Sequence, residues 1–469
     1  MSTAQLAEAP RHLPRPSATV LNRTLVVVVT GSMMSVLDTT IVNVALRSLA
    51  ETFHAPLATI QWATTAYTLA LAAVIPTAAW AMGRIGAKRS YLTALTLFTL
   101  GSVLAAFAWD AGSLIAARAV QGLGGGLLMP VGMTMVMRAA DSERLGRAMA
   151  VGGLPILIGP VFGPVLGGWL LDVASWHWIF LVNLPVGAAA LLLAGKLLRS
   201  DRPVDPAAAP GLDVAGLLTL SPGLALLLFG LARGGERGDF GAAGALLPTL
   251  AGALLVAAFG WRALTARQPL LDLRLLRDRR LAAGAGTLAL FTAGYFGSML
   301  LGPMYWQLAR GVSATEVGLL GAPVGLTVGL SLQVAARRID RVSPRRLITT
   351  GVALGALGMV LTGLQVGVPE VPAWRVVGSA MVMGVGAGMV LMPTMTTASR
   401  DLPKEQLAAA STVLSINSQV WASTGTALIS VVLGAAGPDP AGFRLTYLVA
   451  GGVLALGLLP AALLPGRRS

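Results

Sequence analysis

The chain has 469 residues, 55% of them hydrophobic and only 12% charged, with a mean hydropathy of +0.75. A soluble globular protein of this length carries roughly twice that share of charge, so a water-soluble fold is excluded. The net charge of +14 would suggest nucleic acid in a soluble chain, but here the bases lie in short stretches between apolar runs, the pattern of membrane topology. A lipid bilayer is the expected partner and nucleic acid is not. Cysteine is absent, which excludes disulfides and thiolate chemistry. His12, His54 and His177 are too scattered for a metal cluster, and no metal site is expected. The 57 Gly and 27 Pro residues are better tolerated in membrane helices than in soluble ones, because neighbouring helices re-satisfy freed backbone groups.

A spanning helix needs about 20 mostly apolar residues. About fourteen such runs follow one another in the sequence. A polar stretch, 1–23, with Arg11, Arg15 and Arg23, is expected as an N-terminal tail. Six runs follow at 24–49, 58–81, 91–109, 113–137, 145–171 and 177–195. The first is too long for the apolar region of a signal peptide and contains Asp38, so a retained helix is expected. A linker, 196–280, carries two more runs near 212–232 and 241–261. This pair has no charge at membrane depth and reads as a lipid-facing spacer. Within 262–280, Leu270, Leu271, Leu273, Leu275 and Leu276 alternate with charges, as in an interfacial amphipathic helix. Six further runs lie near 281–306, 313–336, 346–366, 373–395, 407–435 and 443–465, and 466–469 forms a short tail. The expected architecture is therefore all-α, with two six-helix bundles, 24–195 and 281–465, separated by two extra helices.

With both termini in the cytoplasm, the loops on that side hold about 27 bases and the opposite loops about six. The latter are Arg47, Arg233, Arg237, Arg310, Arg375 and Arg444. A wrong helix count scrambles such an asymmetry, so an even count with both ends inside is expected. An internal repeat is also legible. Gly83-Arg84-Ile85-Gly86-Ala87-Lys88-Arg89 follows the second run, and Asp340-Arg341-Val342-Ser343-Pro344-Arg345-Arg346 follows the tenth. Both keep the spacing Arg-x-x-x-basic-Arg at equivalent places in the two halves, as in transporters built from parallel repeats with the substrate site between them. Any cytoplasmic loop is basic, which is the plainer account of the same residues.

Of the 20 acidic residues only Asp38 lies well inside an apolar run; Asp213 and Glu316 fall at run ends. An ionisable group at membrane depth is costly and normally faces a cavity or a partner. Burial disfavours its charged form, which suits Asp38 to exchange a proton, and a cationic substrate competing for the same carboxylate is the simplest antiport scheme. The alternative is a structural acid bonded to nearby Thr or backbone groups. Arg118 is the one base well within a run, with Gln121 a turn later on the same face. It reads as the counter-charge of a buried carboxylate, as a hydrogen-bond hub, or as both. Gly159, Gly163 and Gly167 form a small-residue stripe that permits close helix packing, while Pro160 and Pro164 favour a bend. Candidate cavity residues are Gln61, Thr65 and Tyr67 in the second run, Gln121 in the fourth, Tyr295 and Phe296 in the ninth, and Asn417, Gln419 and Trp421 in the thirteenth. Each has an interhelical hydrogen bond or packing role as its plainer reading.

These motifs resemble the major facilitator superfamily, in particular its fourteen-helix drug:proton antiporter branch. Leu37-Asp38-Thr39-Thr40-Ile41-Val42-Asn43-Val44-Ala45-Leu46 resembles that branch's first-helix signature, and Gln61-Trp62 through Tyr67 its second-helix pattern. Arg118 to Gly126 resembles the motif associated with proton coupling. Gly159-Pro160-Val161-Phe162-Gly163-Pro164-Val165-Leu166-Gly167-Gly168 resembles the antiporter motif, and Trp176 to Pro185 the entry to the sixth helix. The resemblance implies a proton-coupled exporter of amphipathic, drug-like or antibiotic molecules in the bacterial inner membrane. Protons are then the coupling ion, and no cofactor is needed. Arg84, Gly86, Lys88, Arg89, Asp340, Arg341, Arg345 and Arg346 are implied as gating-loop residues. Gly83 stands where the family has an Asp, which removes the first-half charge latch. The second half has no acid at membrane depth, which favours monocationic, neutral or zwitterionic substrates. The same fold also serves exporters of endogenous metabolites or antibiotics and lipid flippases. A channel is disfavoured by the repeat. No GxxxxGK[S/T], HExxH or nucleophile elbow occurs, so neither ATP drive nor an enzyme is expected. The sequence sets no oligomeric state, and a monomer is the simplest expectation.

Overall fold

The computed structural model describes residues 18–466 apart from 142–143, 199–212, 238, 268, 300, 313, 340–341, 369 and 404–405. All its regular structure is helical. The first half contains α1 (Ala18–Thr52), α2 (Leu57–Val74), α3 (Thr77–Ile85), α4 (Ala87–Ala106), α5 (Ala111–Ala139), α6 (Leu145–Gly152), α7 (Leu154–Val173), α8 (Trp178–Leu181) and α9 (Asn183–Leu197). The inserted pair is α10 (Val214–Arg237) and α11 (Ala243–Thr265). The second half contains α12 (Arg279–Ser298), α13 (Leu301–Met304), α14 (Ala314–Arg338), α15 (Pro344–Val366), α16 (Ala373–Ser399), α17 (Leu407–Ala436), α18 (Pro440–Leu456) and α19 (Leu458–Ala461). Among the described residues, eleven helices are long and apolar enough to cross a membrane, and the bent α2–α3 pair, counted as one span, makes twelve. The two remaining expected runs are occupied by α4 and by α6 with α7.

Local chemistry explains several boundaries. Asp110 caps α5: it accepts from the Ser113 amide at 2.6 Å, while Ser113 Oγ accepts from the Asp110 amide at 3.1 Å. Asp278 and Asp439 cap α12 and α18 in the same sense. Gly86, at φ 86°, makes the left-handed turn between α3 and α4 that a residue with a β-carbon adopts at a cost. The α2–α3 pair bends by 56° where Pro76 lacks a donor. α7 is one helical segment from Leu154 to Val173, and the chain breaks just before it, at Gly153. The side chains of Pro160 and Pro164 lie outside the described residues.

Helices pack in the same pairs in both halves. The pairs α2–α5, α4–α5, α1–α7 and α4–α9 match α14–α16, α15–α16, α12–α17 and α15–α18. The halves meet at the base-rich end. There Leu332, Met392, Leu407 and Ala408 join a buried cluster with Met82, Leu128, Val131 and Val136 of the first half. Ser411 on α17 donates to the Pro130 carbonyl of α5 at 3.3 Å. Towards the opposite end the buried clusters stay within their own halves.

The inserted pair differs from the expected lipid-facing spacer. Only α11 is largely peripheral, while α10 packs between α2 and α17 and covers that seam. Ser221 Oγ donates to the Ala73 carbonyl beside the α2–α3 bend at 2.5 Å, and Phe229 lies 5.4 Å from the Trp62 ring. The segment after α11 is also not an amphipathic helix. It forms one short 3-10 turn, Leu273–Arg277, and buries Leu270 and Leu271 against α10, α11 and α17. Asp213, just before α10, clamps this corner. It accepts from Arg262 Nε at 2.8 Å, the Gly216 amide at 2.9 Å and the Leu270 amide at 3.2 Å. Burial acts to raise the carboxyl's pKa, but these donors outweigh it and hold the group below its ordinary value.

Candidate functional site: a buried carboxylate network

Asp38 projects from α1 into the first half with no solvent exposure, and Arg118 from α5 is equally buried. Among the described residues they are the only charged side chains at 0% exposure. Arg118 Nη1 donates to Asp38 Oδ2 at 2.5 Å and, through its second hydrogen, to Gln121 Oε1, also at 2.5 Å. The other carboxylate oxygen, Oδ1, accepts from Gln121 Nε2 at 2.8 Å and from Asn183 Nδ2 at 2.9 Å. Ser102 Oγ on α4 accepts from the same two amides, at 2.7 Å from Gln121 and 3.2 Å from Asn183. One carboxylate thus ties together α1, α4, α5 and α9. Removing either ion alone strands its partner in a low-dielectric site, which makes the two charges interdependent.

The guanidinium is held on its remaining side by rings. Its Cζ lies 4.4 Å from the centroid of Tyr67 and 5.9 Å from that of Phe180. Arg118 Nε and Nη2 are buried without a hydrogen-bond partner among the described residues, so the Tyr67 face is their main compensation. Tyr67 is in turn fixed by a 3.0 Å hydrogen bond between its hydroxyl and Ser35 Oγ. Small residues make these approaches possible. A β-carbon on Gly125 would sit 2.7 Å from the Tyr67 hydroxyl, and one on Gly163 would collide with Thr40 two residues from Asp38. Gly159 and Gly167 also face α1, at Val36 and Ile41, whereas Gly168 has open space at its β-position. The expected glycine stripe therefore packs α7 onto the helix that carries Asp38.

Sequence reasoning paired Asp38 with Arg118 but placed Gln121 in the cavity and missed Asn183, Ser102 and Ser35. Asn183 had a signal, a lone amide inside an apolar run, and it lay in the stretch quoted for family resemblance. Two cavity candidates change role. Tyr67 and Gln121 are buried parts of the network rather than pocket walls. A cationic substrate has no route to the Asp38 carboxylate in this conformation, because the group is fully buried and both oxygens are occupied. Direct competition between cation and proton is therefore not what this arrangement offers.

The second-half candidates do not converge on a comparable site. Asn417 Nδ2 donates across to the Ala285 carbonyl of α12 at 2.9 Å, an interhelical bond. Tyr295 stacks on Phe291 at 5.7 Å and meets Phe296 edge-on at 5.3 Å. Thr65 and Gln419 are partly buried, and Trp421 is 40% exposed. The Gln61 side chain lies outside the described residues. At the loops, Arg84, Arg89, Arg345 and Arg346 are exposed. Lys88 Nζ instead donates to the Gly195 and Leu198 carbonyls at 2.7 and 2.8 Å, closing the C-terminal end of α9. Asp340 and Arg341 lie outside the described residues.

Two matching six-helix packings, with a charged network inside the first, decide the family when set beside known proteins. The Major Facilitator Superfamily profile matches residues 28–426 and 284–469. This chain belongs to the Major Facilitator Superfamily. Its relatives within the superfamily include a multidrug resistance protein B homolog of Mycobacterium tuberculosis, 42% identical over 88% of this chain and 76% of that one. The probable transport protein HsrA of Haemophilus influenzae is 33% identical, covering 85% of each chain. A putative multidrug resistance protein MdtD of Serratia proteamaculans is 32% identical over 87% of this chain and 84% of that one. Among solved structures, the superfamily's proton:xylose symporter XylE superposes with a TM-score of 0.66 at 15% identity, covering 94% of both chains. The human organic anion transporter MFSD10 superposes at 0.63 with 18% identity over 94% of this chain and 99% of that one. These likenesses show the superfamily fold. The chain is a multi-pass membrane transporter related to multidrug resistance proteins, in a family of transporters rather than enzymes.

Proposed function

We propose that this transporter is a fourteen-span antiporter that exports amphipathic molecules across the bacterial cytoplasmic membrane against an inward flow of protons. The observation that carries the reading is the Asp38–Arg118 pair, a titratable group sealed at membrane depth with a permanent counter-charge. The relatives' names support the drug-like substrate class, and the excess of bases at one end supports a cytoplasmic location for both termini. With that orientation the closed base-rich end corresponds to an outward-facing state.

Asp38 carries the proton. While ionised it draws Arg118, Gln121 and Asn183 onto α1. A proton on the carboxylate removes its charge, weakens those bonds and leaves the guanidinium resting on Tyr67. The packing of α4, α5 and α9 about α1 is thereby linked to the protonation state, and alternating access of the two halves follows from that linkage. Substrate acts on the carboxylate through these helices, not by touching it. The substrate is monocationic, neutral or zwitterionic, and the protein works as a monomer without a cofactor.

Export of a fluorescent lipophilic cation from energised cells tests this reading. Wild type is expected to lower cellular dye in a protonophore-sensitive way, and Asp38→Asn to abolish that export at equal membrane abundance. Export that survives both the protonophore and Asp38→Asn would reject proton antiport and favour a flippase or uniporter.

A further inference from the structure

The amide of Asn183 makes two bonds at once, to Asp38 Oδ1 at 2.9 Å and to Ser102 Oγ at 3.2 Å. Asn183 is 2% exposed and is the first residue of α9, directly after the break at Val182 that separates α9 from the short α8. It is the only contact from α9 to the carboxylate among the described residues. The other donors to Asp38 come from α5, so Asn183 is the hydrogen bond that links the carboxylate to the last helix of the first half.

We propose that Asn183 is a positioning residue that tunes the proton affinity of Asp38 and transmits its protonation to α9. The proposal rests on Asp38 being the proton carrier. The chemistry is directional. A carboxylate accepts the Nδ2 hydrogen strongly, whereas a protonated carboxyl offers a weaker acceptor. Asn183 therefore stabilises the ionised form, and the gain is realised only while α9 holds the amide in place. Ser102 aims that amide. Its oxygen takes the second Nδ2 hydrogen, so the side chain cannot rotate away without losing both bonds.

The titratable groups facing Asp38 are few. Arg118 comes from α5 and Tyr67 from α2. Asn183 of α9 and, behind it, Ser102 of α4 are not ionisable. The described face of α7 toward α1 presents Gly159, Gly163 and Gly167. Loss of the Asn183 donor therefore makes the ionised form harder to reach, so proton release moves to higher pH. A hydrogen bond to a charged group corresponds to a shift of about one pH unit.

The test is a pH titration of the protonated-carboxyl infrared band of the purified protein, with Asp38→Asn used to assign the Asp38 component. Asn183→Leu and Asn183→Ala are measured beside wild type, so that loss of one variant to misfolding leaves the other. The expected result is an Asp38 band that persists about one pH unit higher in the Asn183 variants than in wild type. Ser102→Ala should give a smaller shift in the same direction. A merely structural asparagine would lower thermal stability and leave the band's midpoint in place, and that outcome overturns the proposal. If wild type shows no band that Asp38→Asn removes, the carrier role of Asp38 fails, and this proposal falls with it.

Discussion

Asp38 and Arg118 are each intolerable without the other. Arg118→Leu should cost about 3–5 kcal/mol, because it leaves a buried carboxylate unpaired. Joint replacement of Asp38 and Arg118 by Leu should recover most of that loss, and a double-mutant cycle of melting temperatures in detergent reads both. Arg118→Lys is not a conservative exchange. An ammonium cannot lie flat on Tyr67 while reaching both Asp38 and Gln121, so transport should fall nearly to the Asp38→Asn level. At this scale the sequence was informative where chemistry is rare. One acid and one base at membrane depth stand out in any apolar run. Ser102 and Asn183 do not, because Ser and Asn are ordinary interhelical partners. Which of them meets the carboxylate depends on helix rotation, which residue type does not encode.

Helices α7 and α10 show how packing decides what composition leaves open. Gly163 meets Thr40, and Gly168 meets nothing. Gly163→Ala should therefore cost about 1–3 kcal/mol through overpacking of α1 on α7, while Gly168→Ala should stay within about 0.5 kcal/mol of wild type; thermal melts of the two variants distinguish them. At the α2–α3 bend the Ser221 hydroxyl donates to the Ala73 carbonyl, while α7 lies along α1 through its glycine stripe. The position of α10 was illegible for a related reason. An uncharged apolar run reads as lipid-facing whether it faces lipid or a seam between halves. The clamp on α10 and α11 has a pH signature. Because the folded-state pKa of Asp213 lies below its ordinary value, its contribution is complete at neutral pH and declines only as pH falls below the model-compound value of 3.8. Asp213→Asn should reproduce that loss at neutral pH, read as faster hydrogen exchange in the Leu270–Leu271 segment with transport-site residues unchanged.

For the whole molecule, the apolar runs and the distribution of bases made a two-bundle membrane fold legible before any coordinates. The closure of the two halves at the base-rich end was not legible, since it depends on which apolar faces meet. The orientation has a direct readout, because the chain has no cysteine to confuse thiol labelling. Arg89→Cys, exposed in the first turn of α4 at the base-rich end, should react with an impermeant maleimide only after permeabilisation of cells. Trp109→Cys, at an 82% exposed position between α4 and α5, should react in intact cells. The central claim is that proton movement through Asp38 drives export, and its most direct test is proton flux in proteoliposomes holding an acid-inside gradient. Adding lipophilic cations and neutral antibiotics to wild type should collapse the gradient for at least one compound, and Asp38→Asn should leave the gradient intact with the same compound. A gradient that collapses equally with Asp38→Asn would contradict the account and move the coupling away from this carboxylate.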